Sequence, residues 1–63
     1  MKKLEYTFKE LQLIAAEFES KAKLISELKY KENSKTFKLI EYDKCDYIII
    51  YDNKHCTGIL KIE

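Results

Sequence analysis

TFKLIEYDKCDYIIIY, residues 36–51, decides the fold, because here the apolar period drops from that of a helix to that of a strand. Phe37, Leu39 and Ile40 lead into Tyr42. After a polar DKCD break comes an unbroken Tyr47-Ile48-Ile49-Ile50-Tyr51 run. β-Branched and aromatic residues on either side of turn formers read as two strands of a hairpin. A third such segment, TGILKI at 57–62, follows DNKHC. The connections are too short for parallel crossovers, so strands at about 36–42, 46–51 and 57–62 form an antiparallel meander.

Upstream the period is helical. Thr7 and Glu10 have the spacing of a capping box, and Tyr6 and Leu11 that of a hydrophobic staple. Phe8, Leu11, Ala15, Phe18, Ala22 and Ile25 then recur every three or four residues, with Ile14 and Leu28 widening the stripe. Lys29 and Lys31 suit the negative end of a helix and Asn33 its cap, which predicts a helix over 8–31. The expected architecture is α+β, one helix on a three-stranded antiparallel meander (αβββ), in a single domain spanning 1–63. A fourth strand over 3–8, with Leu4, Tyr6 and Phe8 alternating, is the variant of this fold.

Register follows from alternation. A four-residue turn at 43–46 pairs Tyr42 with Tyr47 and Ile40 with Ile49; a five-residue loop at 52–56 pairs Ile49 with Ile59. Directly paired residues share a face. One face then carries Phe37, Leu39, Ile48, Ile50, Leu60 and Ile62, the expected floor for the helix. The other carries Ile40, Tyr42, Tyr47, Ile49, Tyr51 and Ile59, flanked by Lys38 and Lys61. Contiguous tyrosine and isoleucine left uncovered mark a contact surface, so these eight residues are the expected partner-binding site. A helix of 24 residues is about 35 Å long and overhangs a strand of about 20 Å, which also favours self-association.

KCDYIIIYDNKHC, residues 44–56, holds both cysteines and the one histidine. Cys45 and Cys56 fall at opposite ends of the middle strand, roughly 20 Å apart. A disulfide needs α-carbons within about 7 Å and a zinc site ligands within about 2.3 Å of the ion, so neither is expected. His55 and Cys56 are neighbours whose side chains diverge along a strand, a poor nucleophile–base pair. Asp43, Asp46, Asp52 and Asn53 read as turn residues. No phosphate loop, nucleophile elbow or zinc-protease motif occurs, so neither cofactor nor catalytic group is expected.

Composition narrows the classes. The 63 residues are 46% hydrophobic and 37% charged, with a formal net charge of +1, which favours a folded globule over a disordered tail. A domain of this size buries only about 60% of its unfolded surface, so oligomerisation is a natural aid. All twelve basic residues are lysine, without the bidentate fork that arginine offers phosphate and guanine. The bias to Lys, Ile, Asn and Tyr hints at an AT-rich phage or mobile-element gene. Met1-Lys2-Lys3 resembles a signal n-region, but Glu5 interrupts it and no long apolar run follows, so a cytoplasmic protein without a membrane span is expected. The functional expectation is a non-enzymatic protein-binding module, a homodimeric regulator or inhibitor of the anti-defence kind. Its partner is a protein of unspecified identity. The alternative is single-stranded nucleic acid stacked on the tyrosines.

Overall fold

The computed structural model describes residues 1–62, which form one helix and a five-stranded antiparallel sheet. The elements are β1 (Lys2–Lys3), α1 (Phe8–Lys21), β2 (Lys23–Tyr30), β3 (Lys35–Tyr42), β4 (Cys45–Asp52) and β5 (His55–Ile62), in sheet order β1-β5-β4-β3-β2. The α+β class holds, but the sheet has five strands where the pattern predicts three. The variant strand over 3–8 does not form: only its first residue, Lys3, lies in β1, where Lys2 and Lys3 pair with Lys61 and Leu60, and Phe8 opens the helix.

α1 starts as its capping box dictates. Glu10 donates its N–H to Thr7 Oγ1 at 3.2 Å, and Thr7 donates its N–H to Glu10 Oε1 at 2.8 Å. The helix ends at Lys21 rather than near residue 31: Ala22 turns extended, its N–H donating to Phe18 O at 2.8 Å. Residues 23–30 are a strand. Ala22, Ile25 and Leu28 fit a helical stripe, while Leu28 and Tyr30 alternate as in a strand and Leu24 falls on the other face beyond the register irregularity, and length separates the two readings. Fourteen helical residues span about 21 Å and eight strand residues about 26 Å, so the shorter helix matches the sheet it covers. The released segment satisfies its main chain against β3 instead.

Both predicted hairpin loops tighten to two residues. Asp43 and Lys44 have φ of 52° and 66°, Asn53 and Lys54 of 53° and 73°. Positive φ at both central positions is the type I′ geometry that matches strand twist. Tyr42 consequently faces Cys45 and Ile40 faces Tyr47, a shift of two positions that leaves the faces unchanged. In the second hairpin Tyr51 faces Cys56 and Ile50 faces Gly58, so Thr57 bulges from β5 and the predicted Ile49–Ile59 pair is retained.

The core lies between α1 and one sheet face. Leu11, Ala15 and Phe18 from the helix meet Ile40, Ile49, Tyr51, Cys56 and Ile59, with Ile49, Cys56 and Ile59 fully enclosed. This is the face predicted to be free. The sheet is mounted the other way round, and α1 sits on the tyrosine side.

Candidate protein-binding face

The residues expected to bind a partner are largely the inner layer of the protein. Ile40, Ile49, Tyr51 and Ile59 are buried, and Tyr42 and Tyr47 are half-buried against the core. The Phe18 ring lies 5.1 Å from that of Tyr42 and 5.0 Å from that of Tyr47, centroid to centroid. Each phenol that reaches past the helix finds a carboxylate on its flank. Tyr42 donates to Glu17 Oε2 at 3.0 Å and Tyr51 to Glu19 Oε2 at 2.9 Å. Tyrosine works here as a core residue with a satisfied polar tip, which is why a surface reading of it fails.

Lys38 is also committed within the chain. Its ammonium sits 3.2 Å from Glu19 Oε1, 3.9 Å from Glu27 Oε2 and 5.2 Å from the Tyr51 ring centroid. Lys61 is half-buried and lies on the same face, opposite Tyr47. Acidity follows the same contacts. Burial, then the bond to Glu19, raises the Tyr51 phenol well above its ordinary value; the bond to Glu17 raises that of Tyr42. Burial also raises the Cys56 thiol. The sequence signal for this arrangement is Glu17-Phe18-Glu19, an aromatic that enters the core between two acceptors for the tyrosines.

Both cysteines are free: Cys45 is half-buried opposite Tyr42, and Cys56 is buried opposite Tyr51. His55 is exposed, its ring 5.8 Å from that of Phe8. Among the described residues no group of three His, Cys, Asp or Glu side chains could hold a metal ion. Among them, too, no helix is long and apolar enough to cross a membrane.

The other sheet face is apolar at its centre and polar at its ends. Strand pairing lays its residues in rows. One row is Leu28-Phe37-Ile50-Gly58; the next is Ser26-Leu39-Ile48-Leu60, ending on Lys3. On either side the rows turn polar: Tyr30-Lys35-Asp52 at one end, and Lys23-Glu41-Asp46 with Ile62 at the other. Phe37, Leu39, Ile48, Ile50, Leu60 and Ile62 are half-buried by their neighbours alone, and Leu28 is 57% exposed. The core cluster of buried residues lies wholly on the helix side. An apolar centre with a charged rim is the anatomy of a protein–protein interface. Four eight-residue strands offer a face of roughly 19 by 26 Å, and the two apolar rows occupy its middle. No protein-family model, no curated protein and no solved structure matches this chain.

Proposed function

We propose that the chain is a non-enzymatic protein-binding module that seats an apolar surface of a partner protein on its uncovered sheet face. In this reading it is a small regulator or inhibitor of the kind carried by phages and mobile elements, acting by occupying a larger protein's working surface. The observation that supports it is the pair of apolar rows through Phe37, Ile50, Leu39, Ile48 and Leu60, rimmed by charge and without a covering element among the described residues. An antiparallel sheet that meets only water on one face normally carries polar residues there. Burying these rows against a partner contributes about 25 cal/mol per Å².

The test is a triple variant, Leu39→Ser, Ile48→Ser and Leu60→Ser, with an Ala16→Ser control on the exposed side of the helix. Both proteins are expected to keep the wild-type far-ultraviolet spectrum. A protein retained by immobilised wild type and by the control is expected to be lost from the triple variant. Equal retention by all three would remove the face from consideration. Stacking of bases on the tyrosines requires free ring faces, and Tyr42, Tyr47 and Tyr51 have theirs against Phe18 and Lys38.

A further inference from the structure

The two edges of the sheet are built differently. On the β5 side, Lys2 and Lys3 pair with Lys61 and Leu60, and the Leu4 N–H donates to Ile59 O at 3.0 Å. Further along, Gln12 reaches down from α1 and takes both main-chain groups of Cys56. Its Nε2 donates to Cys56 O at 2.6 Å, and the Cys56 N–H donates to its Oε1 at 2.8 Å. A carboxamide thus stands in for the next strand. On the other side, all eight residues of β2 are exposed, and no strand among the described residues pairs with its outer edge.

An open edge is a template for another strand. We propose that β2 pairs with β2 of a second copy, antiparallel about a twofold axis at Leu28, joining two five-stranded sheets into one of ten strands. This goes beyond the face-binding reading and does not depend on it.

Pleat and charge select the register. Residues directly opposite in an antiparallel pair turn their main-chain groups both toward or both away from each other. In a twofold self-pair the axis therefore passes at a residue, never between two. The register irregularity between Leu24 and Ser26 leaves Ser26–Tyr30 as the regular stretch of β2. An axis at Ser26 runs into the irregularity. An axis at Glu27 opposes two glutamates, and one at Lys29 opposes two lysines; like charges directly across a pair are destabilising. An axis at Leu28 sets Glu27 against Lys29 of the partner subunit twice over, Leu28 against its own copy, and Ser26 against Tyr30. Leu28 and Tyr30 share the uncovered face with Phe37, where the Tyr30 and Phe37 rings meet edge-on at 5.7 Å. The joined sheet carries the apolar row Leu28-Phe37-Ile50 across the seam without a break.

The test is equilibrium sedimentation at low salt over a range of concentrations, with Glu27→Lys, Lys29→Glu and their equimolar mixture. Wild type is expected to dimerise reversibly. Each single variant places like charges opposite one another and is expected to weaken self-association by about tenfold. The mixture restores both pairs and is expected to recover wild-type association as a heterodimer. Glu27→Lys also removes a contact to Lys38 within the chain, whereas recovery on mixing depends only on the seam. A wild type that stays monomeric at millimolar concentration, or a mixture that associates no better than its components, overturns the proposal. So does weakening by Glu27→Lys alone with Lys29→Glu silent. The triple variant on the uncovered face retains these β2 residues, so its dimerisation reports on the seam separately from partner capture.

Discussion

Tyr51 shows what a single side chain contributes here. Its ring is buried beneath α1, and its hydroxyl is held by Glu19, so the neutral phenol is favoured in the folded chain. An unfolded tyrosine ionises near pH 10, whereas the folded one keeps its proton above that value. Between the two, the unfolded state binds fewer protons and stability falls as pH rises. The stabilisation is therefore fully present below about pH 10 and lost above it. Tyr42 and Cys56, also raised, act in the same direction. Tyr51→Phe is expected to be less stable than wild type at neutral pH by about 1–3 kcal/mol. Because phenylalanine does not titrate, that gap should narrow in urea unfolding near about pH 11. A constant gap would show that the hydroxyl is not held in the folded state. The Thr7–Glu10 cap was legible from spacing because its partners are three residues apart. The Tyr51–Glu19 bond spans 32 residues, and Glu17-Phe18-Glu19 alone does not say which tyrosines its carboxylates meet.

Among the elements, the hairpin turns were harder to read than the strands. Asp43-Lys44 and Asn53-Lys54 lack the glycine that usually marks a type I′ turn, so the sequence alone points to four- and five-residue loops. The strand faces are the same in either case because the first register shifts by two positions and the one-residue shift at Tyr51–Cys56 is offset by the bulge at Thr57. β2 was not legible because its apolar residues satisfy both periods, and only the fit of helix length to sheet length separates them. The turns also hold removable strain. Lys54 has a φ of 73°, in a region that costs a non-glycine residue about 1–2 kcal/mol. Lys54→Gly is expected to stabilise the protein by about 0.5–1 kcal/mol, seen as a higher urea midpoint with an unchanged slope. A destabilised variant would mean that the lysine side chain holds the turn.

For the molecule as a whole, the meander was visible in the sequence and its orientation was not. β3, β4 and β5 are apolar on both faces, so the pattern specifies two candidate floors and names neither. What chooses is the helix: Ala15 lets it approach closely, Phe18 fills the space between Tyr42 and Tyr47, and Glu17 and Glu19 receive phenols that isoleucines could not supply. Adjacent isoleucines of β4 report this choice directly. Ile49→Ala, at 0% exposure, is expected to cost about 2–5 kcal/mol. Ile50→Ala, half-exposed on the uncovered face, should cost the isolated monomer under about 1.5 kcal/mol. Chemical denaturation of both at low concentration distinguishes this orientation from its inverse, in which the ranking reverses. The Gln12 clasp on Cys56 also bears on how quickly the chain unfolds. β2, β3 and β4 each pair with the next strand in sequence, so the meander can assemble from local closures, whereas Gln12 and Cys56 are 44 positions apart. That difference in sequence separation leads us to expect that the helix closes over the meander late, after the rate-limiting barrier. Gln12→Ala should leave the refolding rate nearly unchanged and speed unfolding by about tenfold, as expected when a contact worth about 1.4 kcal/mol is absent from the transition state. Stopped-flow chevrons that show slower refolding instead would place the clasp in the nucleus. A clasp that forms late makes that one amide, by this expectation, a latch on the lifetime of the native state.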